Sequence, residues 1–182
     1  SDSHTRYGVL GTMGIGEGGG EVVKQLLSKT YDIKMPPVVA VKLTGFPSPG
    51  VGPQDVALAL IGATFKSGFV KNKILEFVGE GINGLSVEYR MGIDVMTTES
   101  AALSSIWCTD GKVKEYLSMH ERESDYREMK PSGTAYYDSL IEIDLSTIEC
   151  MMALPFHPSN VCTIREFKEN PEKYLRKAEE EG

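Results

Sequence analysis

Three chemically capable side chains stand together in Ser1-Asp2-Ser3-His4-Thr5: a carboxylate, a hydroxyl and an imidazole. A carboxylate near an imidazole can orient the ring and tune its proton affinity, and a histidine moves protons near neutral pH. Asp-Ser is also an excellent helix N-cap, so local chemistry leaves a catalytic and a capping reading open. Chain termini fray, whereas active-site groups need fixed geometry. The position of the motif therefore leads us to expect a piece of a longer protein. A further carboxylate, Glu99 in Met96-Thr97-Thr98-Glu99, lies in an apolar, Ser/Thr-rich stretch. A mostly buried Glu needs a partner. Either a Lys, an Arg or a backbone amide neutralises it, or it is an acid that positions a histidine.

The remaining candidates read as structural. His120, in His-Glu-Arg-Glu, fits a solvated helix end, and His157, between Phe156 and Pro158, a loop residue packed on its neighbours. Gly14-Ile15-Gly16-Glu17-Gly18-Gly19 formally matches a dinucleotide fingerprint, but no strand precedes it and Glu17 would set a carboxylate beside a pyrophosphate. Its glycines better suit close packing or a left-handed turn. Cys108, Cys150 and Cys162 are odd in number and far apart, without a Cys-x-x-Cys pair. A disulfide framework and a zinc site made by this chain alone are not expected, and reduced cytosolic thiols are.

The elements that must position these groups are legible in outline. The chain has 182 residues, 41% hydrophobic and 25% charged, with a formal net charge of -7. That supports a real core and argues against a nucleic-acid or anionic-membrane surface, which needs clustered Lys and Arg. No apolar stretch approaches a membrane span, and no signal pattern opens the chain. Residues 21–28 have helical apolar spacing, and residues 38–43 and 73–78 read as strands. Pro53 fits the first turn of a helix. Residues 85–90 start another helix, and residues 91–107 read as helical in at least two pieces. Asp110 can cap a helix running to about residue 122. Residues 124–134 read as loop, 139–145 as a half-buried strand, and 154–160 as an ordered loop. Thr163-Ile-Arg-Glu166 has capping-box spacing ahead of a charged helix or helix pair. Strands alternating with helices give an α/β domain.

Taken together, these stretches resemble the aconitase and 3-isopropylmalate dehydratase superfamily. Ser1 to Thr5 resembles its Asp-Ser-His-Thr motif, followed by the Gly-rich residues 8–20. Residues 36–45 resemble its Pro-x-x-x-x-Val-x-Leu-x-Gly strand, and Pro53-Gln-Asp-Val56 its Pro-Lys-Asp-Val helix start. Glu76-Phe-Val-Gly-Glu-Gly81 resembles its Glu-Phe-x-Gly-x-Gly turn, and Met96-Thr-Thr-Glu99 its Met-x-x-Glu. The wording of the opening motif and of Asp94-Val-Met-Thr-Thr-Glu99 resembles a bacterial branch of aconitase-like hydratases more than aconitase proper. Val95 stands where aconitases proper carry Asn.

The resemblance implies a three-layer α/β/α aconitase-type domain with a short mixed sheet flanked by helices. Residues 1–34 would be the tail of a first domain, 35–160 a second α/β domain, and 161–182 a charged helical link toward an absent third. The family are hydro-lyases that use a [4Fe–4S] cluster to move water across a double bond in di- or tricarboxylic acids. Asp2, Ser3 and His4 would line the substrate site, with Asp2, His4 and Glu99 catalytic and Glu99 paired to His4. The family's cluster ligands lie outside the matched motifs, so no metal ligand is assigned and no cofactor is expected in this piece. Its expected partners are the carboxylic-acid substrate, the remaining domains of the parent, and a second copy through exposed domain interface. A cytoplasmic protein that binds neither nucleic acid nor membrane is expected. The alternative is a stand-alone carboxylate-binding or partner-docking module without catalysis.

Overall fold

The valine-rich run Val38–Thr44 forms the central strand, β1. Its neighbours are β2 (Ile74–Val78) and β4 (Ser139–Asp144), and β3 (Ser104–Trp107) pairs with β2. The computed structural model describes residues 4, 7–16, 19–30 and 32–181. The strand order is β3-β2-β1-β4, and every pairing is parallel. Because strand side chains alternate, the register collects one apolar face. Val41 stands beside Phe77 and Ile141, and Phe77 beside Trp107. The Phe77 and Trp107 rings stack with centroids 4.0 Å apart.

Helices flank this sheet, consistent with a three-layer α/β/α domain. Helix α1 is Gly19–Leu26, α2 is Pro53–Thr64, α3 is Val87–Asp94 and α4 is Gly111–Met119. Val56 and Leu60 of α2 and Ile93 of α3 enter the same core as Val39, Val41 and Leu43. Helix α1 has no buried residue, and its Val23 and Leu26 are 52% and 79% exposed. The opposite sheet face is more polar. Lys42 pairs with Glu142 at 3.0 Å, and the Tyr137 hydroxyl donates to Glu76 at 3.2 Å.

Two expectations are corrected. The expected mixed sheet is instead parallel throughout, because α2 and α3 return the chain to the same sheet end between consecutive strands. Antiparallel pairing is confined to a separate ribbon of β5 (Met151–Ala153) and β6 (Val161–Thr163). Residues 91–107 are not helical to their end. Helix α3 stops at Asp94, a 3-10 turn spans Val95–Ser100, and Ala101 turns left-handed (φ 64°) before β3. Pairing with β2 and hydroxyl bonds from Ser104 and Ser105 outweigh local helical preference there.

The predicted caps are present. Thr163 and Glu166 exchange bonds at the start of α5 (Ile164–Glu169), which precedes α6 (Pro171–Glu181). Asp55, in the first turn of α2, accepts from the amides of Gly52 and Met151, so it ties the ribbon to the helix. His157 packs as expected, its ring stacked on Phe65 at 3.9 Å. His120 ends α4, with Nδ1 2.8 Å from the Tyr116 carbonyl.

Asp110 caps α4 through the amides of Lys112 and Val113 and also takes Arg90 Nη2 at 2.6 Å. Arg90 is fully buried, and the same Nη2 reaches the carbonyls of Ile82 and Leu85. Burial works against the Asp110 charge, but Arg90 and the helix amides outweigh it and hold the carboxyl below its usual range. The folded pKa thus lies below the unfolded one. The stabilisation is present above the unfolded value and is lost as pH falls through the folded value. Asp110→Asn strands the buried Arg90 charge. It should cost about 3 kcal/mol at neutral pH, the low end for a broken buried pair, since Asp110 keeps 29% of its side chain exposed. Urea unfolding of both proteins should show this gap closing as pH drops below the carboxylate range. Equal stability at neutral pH would refute the account.

Candidate active site

The site is built around the C-terminal end of α3. Ser86 caps the other end of that helix by accepting from the Tyr89 amide at 3.1 Å. At the last residue, Asp94 is fully buried. A buried carboxylate must be hydrogen-bonded, and among the described residues this one accepts from three places. Its Oδ2 takes the Gly8 amide at 2.9 Å, and its Oδ1 takes the Ser105 hydroxyl and, at 2.9 Å, the Trp107 indole N–H. Ser105 and Trp107 are two residues apart on β3 and so project from the same face.

Gly8 opens a 3-10 turn, Gly8–Leu10, that lies against β3. A Cβ on Gly8 would fall 2.4 Å from the Ser105 carbonyl oxygen, so only glycine allows this approach. Val9, next along, is fully buried in the main core. Farther on, the Ser104 hydroxyl donates to the Gly14 carbonyl at 2.7 Å. Gly8 therefore serves close packing on β3, and Gly11 supplies a left-handed turn (φ 78°).

The 3-10 turn after Asp94 carries Glu99. Thr97 donates its hydroxyl to the Asp94 carbonyl at 2.7 Å, and Ser100 donates to the Thr97 carbonyl at 2.6 Å. These bonds hold the turn closed from within. Glu99 Oε1 lies 2.9 Å from His4 Nε2, across 95 residues of sequence. The His4 and Glu99 side chains keep 45% and 25% of their surface, so the pair is partly shielded yet reachable. With Glu99 ionised, Nε2 is the donor and Oε1 the acceptor. A ring held this way presents one tautomer and one orientation, as general acid–base chemistry requires.

The structure therefore brings together His4 and Glu99. Asp2 and Ser3 lie outside the described residues. His120 and His157 are engaged elsewhere. Sequence reasoning missed Asp94, Ser105 and Trp107. The usable signal was an aspartate between Ile93 and Val95 in an apolar stretch, since such a carboxylate must find donors. Among the described residues no group of three or more His, Cys, Asp or Glu could hold a metal ion. Cys108, Cys150 and Cys162 are free thiols on separate elements. These residues do not fit a [4Fe–4S] cluster, which needs several thiolates at one place. Nor is any helix among the described residues long and apolar enough to cross a membrane.

Comparison with known proteins places these features in a family. The family model described as "Aconitase family (aconitate hydratase)" matches residues 1–182. A mitochondrial aconitate hydratase of Arthroderma benhamiae is 36% identical over 178 residues, covering 93% of this chain and 23% of that protein. Its counterpart in Schizosaccharomyces pombe is 36% identical over 182 residues, with 95% and 23% covered. A 3-isopropylmalate dehydratase large subunit of Clostridium kluyveri is 35% identical over 170 residues, with 93% and 40% covered. The chain thus spans between about a quarter and two fifths of the length of these relatives.

The approach of Gly8 to β3 is open to a direct check. Gly8→Ala should cost about 1–3 kcal/mol, since a backbone oxygen cannot step aside as a side chain would. Gly111→Ala, where an added Cβ meets nothing within 4 Å, should leave stability nearly unchanged. Thermal unfolding of both variants reads the difference, and equal midpoints would remove the close-approach argument.

Proposed function

Because the chain belongs to the aconitase family, we propose that it forms one wall of the active site of a hydro-lyase that adds or removes water on a di- or tricarboxylic acid. The observation that carries this reading is the His4–Glu99 contact of 2.9 Å. It gives a half-exposed imidazole whose orientation a carboxylate fixes. His4 is the proton-handling group in this reading, and Glu99 supports it by holding the ring and stabilising its charged form. Asp2 and Ser3 are assigned to substrate contact on the family resemblance alone.

The relatives' names, aconitate hydratase and 3-isopropylmalate dehydratase, support the reaction class. A [4Fe–4S] cluster in the parent protein rests on the family resemblance. Residues of this chain do not fit it, so its ligands are assigned to the rest of that protein. The isolated 182 residues are accordingly expected to be inactive. In this reading residues 1–34 derive from a first domain, 35–160 form a second and 161–182 lead to a third. Core contacts cross both boundaries, with Val9 buried beside the sheet and Val161 against Gly62. The exposed apolar residues of α1 favour docking onto the remaining domains or, in the isolated chain, onto a second copy. That surface also favours the second reading, a partner-docking module without catalysis. A cytoplasmic location is proposed from the unpaired thiols.

The test uses the full-length parent enzyme and a panel of unsaturated di- and tricarboxylic acids, followed by loss of double-bond absorbance. His4→Ala should lower kcat/KM by about 10²–10⁴-fold, and Glu99→Gln should lower it less, with the fold intact by circular dichroism. A parent whose turnover ignores both substitutions would overturn the catalytic reading. Turnover by the isolated chain after anaerobic cluster reconstitution would overturn the assignment of the ligands elsewhere.

A further inference from the structure

We infer that Asp94 is the positioning residue of the His4–Glu99 pair, a single buried carboxylate that registers both arms of the site against β3. The inference rests on reading that pair as the working part of the site. One arm is the N-terminal segment. Asp94 Oδ2 holds its Gly8 amide at 2.9 Å, and His4 lies four residues upstream, at most about 14 Å of chain. The other arm is the 3-10 turn Val95–Ser100, which starts from Asp94 itself and presents Glu99 five residues on. Thr97 returns its hydroxyl to the Asp94 carbonyl, so the turn is locked to the same residue. Meanwhile Oδ1 is held by Ser105 and Trp107 of β3. The two oxygens therefore face different elements, one the N-terminal arm of the site and the other the sheet. A carboxylate can accept on both sides. An amide can accept on only one and must present a donor to the other.

Val9 burial and the Ser104–Gly14 bond also dock the N-terminal segment on β3. They hold it to the sheet, whereas Asp94 ties it to the residue from which Glu99 is hung. The distinction is measurable. In the 182-residue chain, Asp94→Asn should speed hydrogen exchange of the Gly8 amide by about ten- to a hundredfold, the loss expected for a bond to a charged acceptor. It should also remove the nuclear Overhauser effect between the His4 ring and the Glu99 side chain. Ser104→Ala, which cuts a docking bond without touching Asp94, should keep that signal. If Asp94→Asn does not fold, an amide-to-ester replacement at Gly8, made by ligation of a short N-terminal peptide, removes the donor and should separate His4 from Glu99 in the same way, with an ester at Leu10, which weakens the turn through the Tyr7 carbonyl but leaves the Gly8 amide, as the control that should keep the pair together. A His4–Glu99 pair that stays together in a folded Asp94→Asn or ester variant would overturn the inference.

The same variant in the full-length parent separates this inference from the catalytic reading. If the pair is catalytic, its loss of position predicts a fall in kcat with little change in KM. If His4 and Glu99 come apart while turnover is unchanged, catalysis by the pair is refuted and the positioning role stands. If the two stay paired, the positioning role is refuted and the catalytic reading is untouched.

Discussion

A carboxylate buried away from water must be met by donors, and the demand of Asp94 organises this chain. Its partners among the described residues come from the start of the sequence and from a strand reached only after the helix has ended. Satisfying it fixes where α3 stops, sets β3 against that helix end and draws the N-terminal segment onto the sheet edge. An apolar residue at this position would pack the helix but leave the Gly8 amide, the Ser105 hydroxyl and the Trp107 indole to find other acceptors. Core packing alone is non-directional. The three bonds supply the direction.

The other fully buried charge on α3 works by the same logic. Arg90 lies four residues before Asp94, one turn along the helix, and both are completely buried. Arg90 meets the carbonyls of Ile82 and Leu85 and the carboxylate of Asp110, so it gathers the loop after β2 and the start of α4. Eight residues of helix thus carry two buried charged side chains, Arg90 paired to Asp110 and Asp94 held by neutral donors among the described residues. All three Arg90 bonds use Nη2, while Nε and Nη1 are buried without a hydrogen-bond partner among the described residues, so the junction contributes little net stability although breaking it is costly. This helix links the ends of β2 and β3 to the segment that carries His4.

The proposed chemistry rests on that geometry. His4 and Glu99 sit on short irregular pieces, an N-terminal arm and a 3-10 turn, each anchored within a few residues to a regular element. Such placement leaves a histidine exposed enough to meet a substrate and held enough to keep its orientation, which is the compromise an acid–base group requires. In the proposed reading, membership of the aconitase family supplies the reaction class, and the rest of the catalytic machinery lies elsewhere in a parent of which this chain spans only part.

Much of the fold was legible because the relevant forces are local. The β-branched run of β1, Pro53 at the head of α2, Asp110 before α4 and the Thr163–Glu166 box each act within a few residues, and each stands where its pattern indicated. The misreadings share one cause. Ser104 to Trp107 looks helical in isolation and is a strand because β2 and two distant acceptors claim it. The parallel sheet follows from crossovers that no local pattern reports. For the site, residue types and motif order pointed to His4 and Glu99, but their chemistry alone could not exclude a cap and an ordinary ion pair. The sequence by itself determined which segments could be strands and helices and which side chains could move a proton. Only the tertiary structure decided that two of those side chains meet, and that Asp94 joins their supports, because hydrogen bonds across some ninety residues exist only once the chain has folded.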